Sequence, residues 1–182
     1  MDASHWATPD LQELVGLFYE TASEVGEFEE VSASELPPNY QQLLAHHSHM
    51  TVTLESFHQS LVDVRVLQAE VAESHYSRLI VLNRQSDQRP VQLGIVRLHR
   101  SFLGDDVFAE IAAQKEPLGR ILIRHDVLRQ VKLLSLWRVQ MGPALKDALD
   151  QPDLSICYGR TALIYCNGAP AVELLEIVVA DE

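Results

Sequence analysis

The sequence predicts an α+β fold built on a single antiparallel β-sheet with helices around it. Three observations point there. From Leu61 onward apolar residues recur with a period of two, as Val62, Val64 and Val66 alternate with Asp63, Arg65 and Leu67. The alternating segments are joined by short polar turns, and Asn167-Gly168 has the composition of a two-residue hairpin turn. Helical spacing occurs before and between these runs rather than after every strand, which disfavours a parallel βαβ arrangement.

In chain order, residues 9–20 set Leu11, Leu14, Val15, Leu17 and Phe18 at helical spacing behind a Thr8-Pro9 start. Glu20 to Pro38 is acidic, short of apolar residues and closed by Pro37-Pro38, so it reads as a loop or linker. Residues 1–38 are therefore expected to be an N-terminal helix and acidic linker, and 39–182 the main domain. Asn39 to Phe57 is again helical in pattern, as two short helices. Strands are expected at 62–67, Tyr76–Asn83 and Val91–His99, the last two separated by the turn Arg84–Arg89. A helix over 106–115 precedes Pro117-Leu118-Gly119-Arg120, where proline presets φ for a helix start and glycine allows close backbone approach. The early N–H groups of such a start are free to hold an anion. Val127–Val139, Ser155–Cys166 and Ala171–Val179 resume strand character.

A chain of 182 residues, 47% apolar and 22% charged, has the composition of a globular domain with material for a core. Fourteen Lys and Arg against 26 Asp and Glu leave a net charge of −12. That excludes a general nucleic-acid binder, which needs a basic face. A small anion is not excluded, because a few clustered arginines suffice to hold one. No apolar run approaches bilayer length and the N-terminus lacks the basic-then-apolar signal pattern, so a cytoplasmic protein without membrane contact is expected. Cys157 and Cys166 lack C-x-x-C spacing and are expected to be buried free thiols.

Two charges stand on apolar strand faces. Arg78 shares its face with Tyr76, Ile80 and Leu82, and Glu176 shares its face with Leu174 and Val178. A charge there is costly without a partner. Either the two pair with each other or reach water at the sheet edge, or they face different parts of a polar ligand in one pocket. Arg97 and His99 share a face with Val91, Leu93 and Ile95, as a strand end emerging into solvent or as a second anion site. Arg120, Arg124 and Arg129 are expected on the solvated side of their elements. His46, His47 and His49 invite a metal reading, but no third ligand has suitable spacing and i, i+2 residues diverge on a helix, so capping or solvated roles are expected and no metal. Ser48 and Ser74 lack a nucleophile-elbow setting, and no Walker or dinucleotide glycine pattern occurs.

Several stretches, in order, resemble the chorismate pyruvate-lyases (4-hydroxybenzoate synthases), in particular their chorismate-lyase-like branch. They are His49-Met50-Thr51 through Phe57, Tyr76-Ser77-Arg78-Leu79-Ile80-Val81-Leu82, Pro90 to Gly94, Pro117-Leu118-Gly119-Arg120, and Asn167-Gly168 to Glu176. The likeness covers about Leu43 to Val179, and Pro-Leu-Gly-Arg is its nearly verbatim element. The same fold is shared with the effector-binding domains of GntR-type regulators.

The resemblance implies a ligand buried beneath helical flaps on an antiparallel sheet. Arg78 would bind a ring carboxylate, backbone at Met50 and Leu118 would add contacts, and Glu176 would bond the ring oxygen that becomes the phenol. Arg78 and Glu176 would be the catalytic pair. The reaction implied is loss of pyruvate from chorismate to give 4-hydroxybenzoate, a precursor of ubiquinone or phenolic compounds, with no metal or organic cofactor. The alternative is a non-catalytic binder of aromatic acids, related to the regulator domains. The sequence departs from the family at Ile95, where the lyases carry an arginine, and Arg97 is expected to take over the second carboxylate. The register of Glu176 also requires a one-residue gap after Pro170.

Overall fold

The computed structural model describes residues 9–127 and 129–180, and Arg129 through its backbone alone. Thr8 of the expected helix start, Leu128 and the side chain of Arg129 lie outside the described residues. The elements run α1 (Leu11–Gly16), α2 (Ala22–Val25), β1 (Gly26–Val31), α3 (Pro38–Leu44), α4 (Met50–His58), β2 (Val62–Val71), β3 (His75–Arg84) and β4 (Pro90–His99). Then come α5 (Asp105–Ala112), α6 (Leu118–Arg124), β5 (Arg129–Met141), α7 (Pro143–Leu149), β6 (Ile156–Cys166) and β7 (Ala169–Val178).

All seven strands join one antiparallel sheet in the order β1-β5-β6-β7-β4-β3-β2. It consists of two local meanders, β2-β3-β4 and β5-β6-β7, stitched together where β4 pairs with β7. The β6–β7 hairpin turns at Asn167 and Gly168, whose φ values of 51° and 79° are those an Asn-Gly turn supplies. One rung later the register slips, so that Tyr165 faces Pro170 while Ile164 faces Val172. The extra residue, Ala171, is a β-bulge at the point where a one-residue gap is expected.

The acidic stretch is ordered, which corrects the expectation of a linker. Its carboxylates cap backbone: Glu24 accepts from Thr21 N–H at 2.9 Å and Glu35 from Ser32 N–H at 2.8 Å. Between them β1 pairs with β5, from Gly26 opposite Met141 to Val31 opposite Leu136. Helix α1 begins at Asp10, whose side chain accepts from Gln12 N–H at 2.7 Å.

Both faces of the sheet are covered. On one, Leu14, Val15, Leu145 and Leu149 from α1 and α7 pack on Leu79, Leu93, Ile95, Leu175 and Ile177. On the other, Leu43, Leu44, Met50 and Leu54 from α3 and α4 pack on Ile80, Leu82 and Val178. Beside them, Val107, Ile111, Ile121 and Leu122 from α5 and α6 pack on Tyr76, Val96 and Leu174. Each such side chain contributes on the order of 1.5–3 kcal/mol by leaving water. Cys157 and Cys166 are buried, and neither forms a disulfide among the described residues. No helix among the described residues is long and apolar enough to cross a membrane.

Candidate ligand-binding site

Strand register sets the floor of a pocket on the face covered by α3 to α6. Side chains of one parity share a face, so Tyr76, Arg78, Ile80 and Leu82 point one way from β3. Cross-strand pairing then builds three rungs on that face. Arg78 lies opposite Val96, and Val96 opposite Leu174. Ile80, Gly94, Glu176 and Arg160 follow in a line across β3, β4, β7 and β6. Leu82, Gln92 and Val178 form the third rung.

The roof is made by the beginnings of α4 and α6, which contribute His49, Met50, Thr51, Pro117, Leu118 and Gly119. The two helices meet at Gly119. A Cβ there would stand 3.0 Å from Thr51 Oγ1 and 3.4 Å from Thr51 Cβ, so a larger residue would have to push Thr51 back by a few tenths of an ångström, and glycine lets α6 sit this close to α4 without strain. The closed space is about 40 Å³, small beside the usual range of ligand sites, so a ring acid needs the roof to give way as it enters. The pocket's lining is mostly aliphatic, and its charges are Arg78, Arg160 and Glu176.

Arg78 and Arg160 are both fully buried, yet their surroundings differ. Every nitrogen of Arg160 is committed. Its Nε donates to Glu176 Oε2 at 2.7 Å, Nη1 to the His46 carbonyl at 3.0 Å and Nη2 to the Ser48 carbonyl at 3.1 Å. Arg160 thereby ties Glu176 to the loop that leads into α4. His46 completes this tie as a neutral ring, donating from Nε2 to the Leu43 carbonyl at 2.7 Å and accepting the Ser48 N–H on Nδ1 at 3.1 Å. Burial, and then the Arg160 charge, holds its pKa below the usual histidine value.

Arg78 is open by contrast. Among the described residues its Nε, Nη1 and Nη2 have no hydrogen-bond partner. Burial draws its pKa down, with the Tyr76 side chain acting in the other direction, but a guanidinium stays protonated. A cation without a carboxylate thus faces the pocket from one end, while a carboxylate neutralised by a second arginine lies across the floor.

Of the residues singled out by sequence, Arg78, Met50, Leu118 and Glu176 all line this pocket. Arg78 and Glu176 do not pair; Glu176 pairs with Arg160. Arg97 does not reach the pocket, which corrects the expectation that it takes over a second carboxylate. Gln92, Gly94 and Val96 are the pocket-facing residues of β4, so Ile95 and Arg97 point to the opposite face. There Arg97 donates to Glu173 Oε1 at 2.8 Å and to Glu13 Oε2 at 3.1 Å. Arg120 turns away from the pocket to pair with Glu55 and with the Val62 carbonyl. Arg124 pairs with Glu116 and Glu110 at the surface.

Arg160 and Gln92 escaped the sequence reading. Arg160 carried the same signal as Arg78, a charge with apolar residues on both sides of it in a strand, Cys157 and Ala162 to Ile164. Gln92 is uncharged and gave none.

No protein-family model matches this sequence, and no curated protein matches it. Among solved structures, the ligand-binding domain of a protein assigned to the GntR family of transcriptional regulators in Bordetella bronchiseptica is similar with a TM-score of 0.49. It is 15% identical, over 68% of this chain and 85% of that one. The candidate regulator YydK of Bacillus subtilis gives a TM-score of 0.49 at 10% identity, over 66% of this chain and 59% of its own. A GntR-family regulator of Bacillus cereus gives 0.44 at 8% identity, over 66% and 96%. At these values the likeness is one of backbone alone.

Proposed function

We propose that this chain binds a small organic acid, with the acid's carboxylate on Arg78. The observation that carries this reading is a fully buried guanidinium that finds no hydrogen-bond partner among the described residues on any of its three nitrogens, facing an aliphatic pocket. An unpaired buried charge costs several kcal/mol, and a carboxylate can take two of its N–H donors at once. Calorimetric titration with benzoate and 4-hydroxybenzoate tests it. Binding that is lost in Arg78→Met is the expected result; absence of binding by either acid to folded protein would sink the proposal.

A second reading adds chemistry, and the specific support for it is Glu176 on the same floor as Arg78, fixed by Arg160. On this reading the chain is a carbon–oxygen lyase acting on chorismate. Arg78 would hold the ring carboxylate and Glu176 would face the ring oxygen retained as the phenol. The hydrogen on the ring carbon that carries this oxygen leaves as a proton and its electron pair completes the aromatic ring. The ether C–O bond breaks, and the released enolpyruvate takes up a proton at its methylene carbon to become pyruvate. The pocket's part is alignment and exclusion of water. Incubation with chorismate, followed by assay for pyruvate and 4-hydroxybenzoate, separates the two readings. Turnover above background supports the lyase; tight binding of 4-hydroxybenzoate without turnover leaves the binder.

A further inference from the structure

We propose that Gln92 is the specificity residue of this pocket, reading a hydroxyl that the bound acid carries at the end away from its carboxylate. The inference rests on the reading of a binder whose carboxylate Arg78 takes, not on the lyase reading in which Glu176 faces the ring oxygen, and it narrows the ligand class from any small acid to hydroxylated ring acids.

The argument starts from the register. Arg78 and Gln92 stand on adjacent strands and two rungs apart on one face, since Arg78 pairs with Val96 and Leu82 with Gln92. Four residues along at ~3.3 Å each and one strand across at ~4.8 Å put their Cα atoms ~14 Å apart. Both side chains line the cavity, so a single-ring acid lying along β4 meets the guanidinium at one end and the amide at the other. Between them sits Gly94, over which Ile80 and the Gln92 amide already lean; a Cβ there would come within 3.1 Å of Ile80 and 3.2 Å of Gln92 Nε2, so the glycine lets the amide lie back along β4.

Gln92 is 3% exposed and its Oε1 has no hydrogen-bond partner among the described residues. Its rung neighbours, Leu82 and Val178, are buried aliphatic residues. A buried amide oxygen left without a donor destabilises the fold, whereas an apolar side chain of the same length would not. A glutamine at this position therefore has the character of Arg78: a polar group held ready in an apolar wall. The two differ in charge, and that difference sets what each end accepts. The guanidinium selects an anion. The amide carries no charge and offers an acceptor and donors, which a hydroxyl matches whichever way the amide is turned. A site that hydrogen-bonds a substrate hydroxyl rejects the analogue lacking it far more strongly than an apolar wall rejects an added one.

The test is a matrix of benzoate, 3-hydroxybenzoate, 4-hydroxybenzoate and 3,4-dihydroxybenzoate against the wild type, Gln92→Met and Arg78→Met, with affinities from calorimetry and melting temperatures from scanning calorimetry. The wild type is expected to prefer at least one hydroxylated acid over benzoate by about tenfold or more. In Gln92→Met that preference should collapse to within about twofold, benzoate affinity should hold or improve, and the melting temperature should hold or rise. Retention of the preference in Gln92→Met, or an equal loss for benzoate and the hydroxylated acids, would overturn the inference while the Arg78 reading stands. No binding of any of the four acids to the wild type would overturn both.

Discussion

On β3, Arg78 enters the pocket fully buried and without a partner; on β4, one residue out of phase, Arg97 enters the opposite face and is held by Glu173 and Glu13. The two arginines sit almost side by side, since Ser77 faces Arg97 and Arg78 faces Val96 across the same pair of strands. Residue type and neighbourhood in the sequence are the same, and the parity of the strand separates them. The Arg97 face is closed: its cation raises no unmet demand, and Glu173 beside it also lies 4.0 Å from His99 Nε2. The Arg78 face is open at one residue and closed at another, because Arg160 on that face is as fully satisfied as Arg97. A charged residue in a sheet interior thus says little about function. What distinguishes a site is the charge whose hydrogen bonds the protein itself leaves unmade.

Turning the closed face into an open one should have the largest effect. Glu173→Ala leaves Arg97 without its buried partner and is expected to cost about 3–5 kcal/mol in urea unfolding, while affinity for 4-hydroxybenzoate stays within about twofold. Closing the open face is the converse experiment. Arg78→Met should lower acid affinity by about 100-fold, near 2.7 kcal/mol, and leave the melting temperature unchanged or higher. A fall in stability as large as that of Glu173→Ala would show that Arg78 has a partner within the protein and erase the contrast.

Acid should act on the closed face next. Burial, then the neighbouring His75, pushes the His99 pKa down to about 4 from an ordinary 6.5. Between those values the unfolded chain binds a proton that the folded chain does not, so stability is full above pH 6.5 and is lost as pH falls toward 4. A loss of about 3 kcal/mol, or roughly 6–12 °C in melting temperature, is expected over that window, and His99→Gln should flatten it. The smallest effect belongs to the roof. Gly119→Ala should cost about 1 kcal/mol by pressing α6 off Thr51, with a matching loss of acid affinity.

Six of the seven strands were legible because their alternation, or their unbroken apolar runs, survive single-sequence inspection; β3, β4, β6 and β7 are buried on nearly every residue. Strand β1 was not, because Glu27, Glu29 and Glu30 are exposed there and only Phe28 and Val31 turn inward, a composition shared with solvated linkers. Of the site, Arg78 and Glu176 were legible from charge on an apolar face, and Met50 and Leu118 from the resemblance. Their partnering was not, since a pattern within one strand carries no information about which strand lies beside it. Arg160 reaches Glu176 only because β6 and β7 form a hairpin in that register, and Arg97 was misdirected by counting from Ile95 when Gly94 marks the pocket side.

The seam where β4 meets β7 has a consequence for how the protein folds and unfolds. Arg78, Gln92 and Gly94 belong to the first meander, Arg160 and Glu176 to the second, so neither half contains the pocket floor before the halves dock. Strands β2–β3, β3–β4 and β6–β7 are local hairpins that close quickly and β5 returns to β6 through α7, whereas the β4–β7 junction joins segments far apart in the chain and forms late. An acid lying between Arg78 and Glu176 bridges that junction. Its occupancy should therefore act on the escape rate from the native state more than on the speed of reaching it, and slowed unfolding at saturating ligand with an unchanged refolding rate is the kinetic signature to expect.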